Sequence, residues 1–221
     1  FEKDKIILTG NPVRQGLLNA HITKEEAVAS FGLDPNKKTI LIVGGSLGAR
    51  TLNQCMIAGL GKIKASDVQF IWQTGKIYFE QAKTAVAKAG DLPMLYVMDF
   101  ISKMEDAYSA ADLVISRAGA GSISEFCLLS KPVVLVPSPN VAEDHQTKNA
   151  LALVEKDAAL YVKDSEANEK LLDVAMETVH KEDILKGLSA NIAKLAHVDS
   201  ANIIAEEVYK LAEKYKKGHG Y

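Results

Sequence analysis

A glycine-rich segment that follows the first long apolar run has the composition of a phosphate-binding loop. Gly44-Gly45-Ser46-Leu47-Gly48 stands between a predicted strand and a predicted helix. Glycines at such a position let backbone N–H groups approach a phosphate, and the N-terminus of the following helix contributes a partial positive charge. A tight strand-to-helix turn without a ligand is the alternative interpretation.

Two nucleotide-binding motifs do not fit the sequence. The dinucleotide fingerprint G-x-G-x-x-G requires a glycine where Ser46 stands, and the acidic residue expected about 20 positions further on is missing. A Walker loop requires G-x-x-x-x-G-K-[ST], but Gly75-Lys76 is followed by Ile77 and has no matching upstream glycine. Both motifs are therefore excluded.

The same segment matches a third motif, because Gly44-x-Ser46-x-Gly48 has the pattern of the nucleophile elbow of hydrolases. Asp112 and His145 follow in the chain order of a hydrolase triad. Against this interpretation, the elbow follows the first strong strand, so no upstream sheet or HGG-type oxyanion loop precedes it. A Ser46 hydrolase is kept as the less favoured alternative.

The most informative stretch is Arg117-Ala118-Gly119-Ala120-Gly121-Ser122-Ile123-Ser124-Glu125. Its small residues let the backbone pass close to a bulky group. Ser122 and Glu125 have capping-box spacing, so one interpretation is that they only cap the following helix. In the other, Glu125 accepts hydrogen bonds from both hydroxyls of a ribose, and the helix N-terminus faces a diphosphate.

Further polar residues follow the fifth predicted strand, in Asp144-His145-Gln146-x-x-Asn149. His145 has the chemistry of a general base, but hydrogen bonding to sugar hydroxyls suits His145 and Gln146 better. Arg14, after the turn Gly10-Asn11-Pro12, either meets a phosphate or sugar oxygen or is simply solvated. Because no H-x-x-x-H or carboxylate pair has ligand spacing, we expect no protein-built metal site.

These candidate residues stand on a regular alternation of strands and helices. Apolar runs rich in Val, Ile and Leu predict buried strands at residues 40–43, 68–72, 95–98, 113–116, 133–136 and 160–162. Helices are predicted at 49–64, 77–89, 102–110, 122–129 and 143–154, and throughout 167–217, while residues 5–9 predict a connecting strand. The alternation predicts a doubly wound, Rossmann-like α/β fold with a parallel sheet. Ligands of such sheets bind outside the carboxyl ends of the strands, where the candidate residues stand.

Composition limits the classes of function. The chain has 221 residues with 26 Lys and Arg against 28 Asp and Glu, so no basic excess favours nucleic-acid binding. No apolar run approaches the roughly 18 residues that span a bilayer. Cys55 and Cys127 fit a reducing cytoplasm and are predicted to be small core residues. Because the chain opens on Phe1, we expect a fragment of a longer protein.

Taken together, the motifs resemble those of the MurG family of bacterial peptidoglycan glycosyltransferases. The matching segments run in family order and are Gly10-Asn11-Pro12-Val13-Arg14, Val43-Gly44-Gly45-Ser46-x-Gly48-Ala49-Arg50, Gln73-Thr74-Gly75, Phe100-Ile101, Arg117-Ala118-Gly119-Ala120-x-Ser122-Ile123-Ser124-Glu125 and Asp144-His145-Gln146-x-x-Asn149-Ala150. They cover nearly the whole chain but only the C-terminal half of the family's two-domain GT-B fold. The resemblance implies that residues 1–221 form a single UDP-GlcNAc-binding domain, with 1–14 as interdomain connection and first loop and 199–217 as C-terminal helix. The N-terminal acceptor domain is then absent.

The resemblance also implies a function. The family transfers GlcNAc from UDP-GlcNAc to the undecaprenyl-pyrophosphoryl-MurNAc-pentapeptide lipid I, which forms lipid II at the cytoplasmic face of the bacterial membrane. No cofactor and no nucleic acid is implied. The family's proposed base, acceptor loops and membrane-facing patch belong to the N-terminal domain, so we expect no catalytic residue in this chain and no turnover by it alone. Another UDP-sugar-dependent GT-B transferase is the alternative.

Donor-binding roles follow from the resemblance for residues that match the motifs. The backbone of Ile101 would read the uracil edge, and Glu125 would hold the ribose diol. Ser46 and the turn of Ala120, Gly121 and Ser122 would contact the diphosphate and the sugar. Gln146, with His145 beside it, would bind the GlcNAc hydroxyls. Gly45 is also expected to bind the donor, and Arg14 would lie near it.

Overall fold

The computed structural model describes residues 2–18, 22–45 and 47–218, in which six strands form one parallel sheet. The strands are β1 (Thr39–Val43), β2 (Gln69–Gln73), β3 (Leu95–Met98), β4 (Leu113–Ser116), β5 (Val133–Leu135) and β6 (Leu160–Tyr161). Their order is β3-β2-β1-β4-β5-β6, which is the order of the Rossmann fold. The predicted doubly wound α/β fold is confirmed.

Both faces of the sheet are buried, and the side chains of each central strand alternate between two cores. In β1, Ile40 and Ile42 belong to one core, and Leu41 and Val43 to the other. A strand covered on both faces needs apolar residues at every position. The apolar runs therefore identified all six strands, with bounds that differ by at most one residue from those observed.

Helices cover the two faces. They are α1 (Gln15–Leu18), α2 (Lys24–Ser30), α3 (Arg50–Ala58), α4 (Leu60–Ala65), α5 (Phe79–Ala89), α6 (Met104–Ala110), α7 (Ala120–Leu128), α8 (His145–Val154), α9 (Ala167–Val179), α10 (Glu182–Ala193) and α11 (Ser200–Gly218). Helices α3, α4, α5 and α9 supply the core that contains Ile40, whereas α2, α6, α7 and α8 supply the core that contains Leu41. Cys55 and Cys127 are buried, one in each core, as predicted.

Three predicted elements differ from the structure. The helix predicted at 49–64 is divided into α3 and α4 at Gly59, a weak helix former. A Cβ atom on Gly59 would lie 2.0 Å from Cδ1 of Leu172, so the missing side chain makes room for α9. The strand predicted at 5–9 is wrong, because a short 3₁₀ turn at Lys3–Lys5 precedes residues without regular structure. The helical tail is divided into α9, α10 and α11.

The last of these helices, α11, carries apolar side chains that this chain does not cover. Val208 is 60% exposed and Leu211 is 67% exposed. These apolar side chains of α11 therefore belong to neither core. Among the residues that the structure describes, no helix has both the length and the apolar character needed to cross a membrane.

Candidate functional site

A groove of about 690 Å³ runs along the carboxyl edge of the sheet, where loops from both sides of the β1–β4 pair meet. This is the switch point of the strand order, at which doubly wound sheets bind ligands. Its lining includes Gly44, Gly45 and Gly48 after β1, Arg117, Gly119 and Ser122 after β4, Ser138 and Gln146 after β5, and Asp164 after β6. Three predicted site residues, Gly45, Ser122 and Gln146, thus share one groove.

Gly48 and Gly75 bring the loops after β1 and β2 into direct backbone contact. Their φ angles are positive, at 81° and 77°. A Cβ atom on Gly48 would lie 2.1 Å from the carbonyl oxygen of Thr74, and one on Gly75 would lie 2.3 Å from the nitrogen of Gly48. Packing therefore requires both glycines, whatever the loop binds. Ser46 is outside the described residues, and its expected phosphate contact stays a prediction.

Gln73, the last residue of β2, joins the loop after β1 to the loop after β3. Its Nε2 donates a hydrogen bond to the carbonyl oxygen of Gly45 at 3.3 Å, and its Oε1 accepts one from the N–H of Ile101 at 2.9 Å. One buried amide therefore holds two of the predicted site residues. The sequence offered only the motif around Gln73 as a signal and assigned this side chain no role.

Arg117 connects the loops after β4, β5 and β6. Its Nη1 donates to the carbonyl oxygens of Val136 at 3.0 Å and Pro137 at 3.2 Å, and it forms an ion pair with the Asp164 carboxylate. The Thr51 hydroxyl of α3 also donates to Asp164, at 3.0 Å. Because Asp164 balances the charge of Arg117, this pair organises the floor of the groove and adds little net charge to it.

The N-terminus of α7 opens at the groove, next to Gly119 and Ser122. Gly119 is the N-cap residue, and no side chain caps the helix. The first N–H groups of an α-helix have no intrahelical partners and favour an anion. The capping-box interpretation is wrong, because α7 begins at Ala120 and Glu125 has a different partner. Ala120 and Gly121 lie in this first turn, and their expected contact with a diphosphate stays a prediction.

Glu125 follows Ser122 by three positions on α7 and meets Tyr108 of α6, but it is not among the residues that line the groove. Its Oε2 accepts a hydrogen bond from the Tyr108 hydroxyl at 2.7 Å, and the Tyr108 ring meets Phe126 edge-on at 6.0 Å between centroids. Burial raises the pKa of Tyr108, the Glu125 carboxylate raises it further, and the charge of Arg14 acts in the opposite direction. Tyr108 and Glu125 therefore form a hydrogen-bonded pair between α6 and α7, and the charge of Arg14 is close enough to act on Tyr108.

The segment 138–146 forms the wall of the groove after β5. Gln146 lines the groove, and its Oε1 accepts a hydrogen bond from the N–H of Ser138 at 2.9 Å. His145, the first residue of α8, is exposed. Glu143 and Asp144 precede it with left-handed φ angles of 54° and 51°. The backbone of this wall is therefore strained at the two residues that precede His145 and Gln146.

Asp112 lies at the opposite edge of the sheet, so the hydrolase triad is wrong. Its Oδ2 accepts a hydrogen bond from the N–H of Thr39, the first residue of β1, at 2.8 Å. The loop that contains Ser46 follows the other end of β1, roughly 13 Å away at about 3.3 Å per residue. A triad acid must contact its histidine, and His145 begins α8 at the groove edge.

Asp112 is the centre of a charged cluster at this second edge. It forms ion pairs with Lys24 at 2.5 Å and Lys38 at 3.7 Å. Lys131 donates to the carbonyl oxygen of Ala111 at 3.2 Å, and burial lowers its pKa to about 8 although Asp112 acts in the opposite direction. These contacts join α2, β1 and β4 and are structural. In the described ranges, no three His, Cys, Asp or Glu side chains are grouped so as to hold a metal ion.

Comparison with known proteins identifies relatives along the whole chain. Residues 39–206 match the model of the glycosyltransferase family 28 C-terminal domain. The UDP-N-acetylglucosamine--N-acetylmuramyl-(pentapeptide) pyrophosphoryl-undecaprenol N-acetylglucosamine transferase of Phocaeicola vulgatus is 75% identical over 220 residues, which cover 100% of this chain and 58% of the relative. The enzyme of the same name from Bacteroides thetaiotaomicron is 69% identical, over 96% of this chain and 58% of the relative. The chain thus spans less than two thirds of the length of these relatives.

Two solved structures share the fold. The crystal structure of Acinetobacter baumannii MurG matches with a TM-score of 0.71 and 27% identity, over 94% of this chain and 58% of that one. The C-terminal CMP-Kdo binding domain of WaaA from the same species matches with a TM-score of 0.60 and 13% identity, over 81% of this chain and 97% of that one. At 13% identity, the match to the WaaA domain shows the fold alone. It covers almost the whole of that domain.

Proposed function

Because this chain belongs to the family of the glycosyltransferase family 28 C-terminal domain, we propose that it is the UDP-GlcNAc-binding domain of a peptidoglycan GlcNAc transferase. The whole enzyme would transfer GlcNAc to the undecaprenyl-linked muramyl-pentapeptide lipid I and so form lipid II. It would work at the cytoplasmic face of the bacterial membrane, which its lipid acceptor requires. The name of the Phocaeicola vulgatus relative, 75% identical along this chain, supports the choice of donor and acceptor.

The observation that carries the proposal is the groove at the switch point. Its volume of about 690 Å³ is of the size that ligand pockets have, and residues that follow five of the strands line it. A diphosphate would meet the backbone N–H groups of Gly45 and Ser46 on one side. On the other side it would meet the first turn of α7, with Ala120, Gly121 and Ser122. Both sources of N–H groups favour an anion.

The nucleoside would extend toward α6 and the loop after β3. We propose that Glu125 accepts hydrogen bonds from the two ribose hydroxyls, because a carboxylate oxygen accepts from hydroxyl donors and Glu125 stands one turn after Ser122, which lines the groove. The backbone of Ile101 would form a hydrogen bond with the edge of the uracil ring. Since the N–H of Ile101 already donates to Gln73, its carbonyl oxygen is the group we assign to the uracil N3–H.

The sugar would occupy the wall after β5. Gln146 lines the groove and keeps its Nε2 donors available after its Oε1 has accepted the Ser138 N–H. With His145 beside it, Gln146 is assigned to the GlcNAc hydroxyls. Arg14, which lies near Tyr108 and Glu125, would be close to the donor.

In the reaction, the acceptor hydroxyl oxygen forms a bond to C1 of GlcNAc while the bond from C1 to the diphosphate oxygen breaks. The hydroxyl proton passes to a base, and UDP leaves with the electron pair of the broken bond, which inverts the configuration at C1. The residues of this chain act on the leaving group. N–H groups and helix dipoles aimed at the diphosphate stabilise the charge that develops there.

Calorimetric titration of the chain with UDP and UDP-GlcNAc tests the proposal, with ADP as a control that keeps the diphosphate and changes the base. We expect binding of both uracil nucleotides, much weaker binding of ADP, and no GlcNAc transfer to a lipid I analogue by this chain alone. Tighter binding of UDP-glucose than of UDP-GlcNAc would favour a different UDP-sugar transferase. Equal binding of ADP and UDP, or measurable transfer, would contradict the proposal.

A further inference from the structure

The Tyr108 hydroxyl occupies one of the two carboxylate oxygens of Glu125. It donates to Oε2 at 2.7 Å, a short distance that is typical of a hydroxyl bound to a charged acceptor. A carboxylate has lone pairs for about four hydrogen bonds. The bond to Tyr108 therefore leaves Oε1 and part of Oε2 for other donors and fixes the plane in which those lone pairs lie.

Packing holds Tyr108 itself in place. The side chain is 3% exposed, and its ring meets that of Phe126, the residue after Glu125 on α7, at a centroid distance of 6.0 Å. A tyrosine has only two side-chain torsions, so a packed ring leaves its hydroxyl little freedom. Burial and the Glu125 charge raise the pKa of Tyr108, so the hydroxyl keeps its proton and remains a donor at neutral pH.

We infer that Tyr108 is a positioning residue for nucleotide binding, because its hydroxyl holds the Glu125 carboxylate in the orientation that receives the ribose diol. This inference rests on the proposed function. A free glutamate side chain loses rotamer entropy when it binds a ligand. Tyr108 lowers that cost by ordering Glu125 before the nucleotide arrives. Tyr108 itself would not touch the nucleotide.

The substitution Tyr108→Phe tests the inference, since it removes the hydroxyl and keeps the ring that packs on Phe126. Calorimetry with UDP and with 2′-deoxy-UDP separates an effect on the ribose contact from a general loss of stability. We expect UDP binding to weaken by about fivefold, the size of one impaired hydrogen bond to a charged group. Binding of 2′-deoxy-UDP should weaken much less, so discrimination between the two nucleotides shrinks.

Two further variants make the outcome decisive. Tyr209→Phe removes the hydroxyl of a tyrosine that is 75% exposed on α11 and should change neither affinity. Glu125→Ala removes the carboxylate and should weaken UDP binding at least as much as Tyr108→Phe does.

An unchanged UDP affinity in Tyr108→Phe, with Glu125→Ala still weakened, would overturn the inference alone. If Tyr108→Phe weakens the binding of UDP and of 2′-deoxy-UDP equally, the inference is also overturned. The hydroxyl would then act elsewhere than at the ribose. If Glu125→Ala leaves UDP affinity unchanged, the ribose assignment fails, and the inference fails with it.

Discussion

Replacing Gln73 by leucine tests whether the loops after β1 and β3 act as one binding unit. Leucine fills most of the same buried space but removes both hydrogen bonds of the amide, to the Gly45 carbonyl oxygen at 3.3 Å and from the Ile101 N–H at 2.9 Å. Ile101 is 5% exposed, so its N–H is left without a partner and with little access to water.

The magnitude follows from these two bonds. An orphaned buried N–H costs about 1–3 kcal/mol, and loss of the longer bond adds about 0.5 kcal/mol. A total of about 1.5–3.5 kcal/mol lowers the Tm of a chain of 221 residues by roughly 3–14 °C. Because the proposed diphosphate and uracil contacts lose their common support, UDP binding should weaken about tenfold, or roughly 1.4 kcal/mol.

Gln69→Leu provides a matched control at the other end of the same strand. The Gln69 amide accepts from the N–H of Asp34 at 3.0 Å and donates to the Asp34 carbonyl oxygen at 2.7 Å and the Thr39 hydroxyl at 3.0 Å. Its loss should lower the Tm at least as much and leave UDP affinity unchanged. Thermal unfolding measures the Tm of both variants, and calorimetry measures their affinity for UDP. If Gln73→Leu lowers the Tm alone, or if both variants weaken UDP equally, the coupling of the two loops is refuted.

Two other predictions concern the glycine-rich loop and the opposite edge of the sheet. Ser46→Ala should weaken UDP binding by about tenfold through loss of a hydrogen bond to a charged oxygen. A fluorophosphonate probe should not label Ser46 in the wild-type chain. Stoichiometric labelling would restore the hydrolase interpretation. Lys131→Met should stabilise the fold at pH 7 by up to about 3 kcal/mol, because burial lowers the pKa of Lys131 from 10.5 to about 8. Between those two pH values the unfolded wild type holds the proton that the folded state has released, so wild-type stability rises with pH and the advantage of the variant shrinks. Urea unfolding at pH 7, 9 and 10 measures that difference, and a constant advantage would contradict it.

The sheet could be predicted from the sequence because its strands are short apolar runs whose burial needs no distant information. The division of the predicted helix 49–64 could not, since it depends on contact between Gly59 and Leu172 of α9. Gly59 by itself is tolerated in a helix at a cost of roughly 1 kcal/mol. Only the fold brings the two residues together.

The candidate site was predicted in part for the same reason. Glycines after strands and the position of Gln146 follow from local order along the chain, and the groove unites them. Local spacing assigned Glu125 equally well to a helix cap, and its contact with Tyr108 arises from the packing of α6 against α7. The triad failed because Asp112 directly precedes β4 and therefore lies at the amino edge of the parallel sheet, a placement that the strand predicted at 113–116 already implied.

The contact between Gly48 and Gly75 also determines which part of the groove can move. The Thr74 carbonyl oxygen lies where a side chain on Gly48 would stand, so no layer of side chains separates the two loops. Without rotamers to rearrange between them, the backbones at Gly48 and Gly75 cannot approach further, and a shift of one displaces the other. Across the groove, the left-handed backbone at Glu143 and Asp144 costs on the order of 1 kcal/mol or more per residue, which favours leaving that conformation. We therefore expect adjustment of the groove around a ligand to occur in the wall after β5, at Glu143 and Asp144.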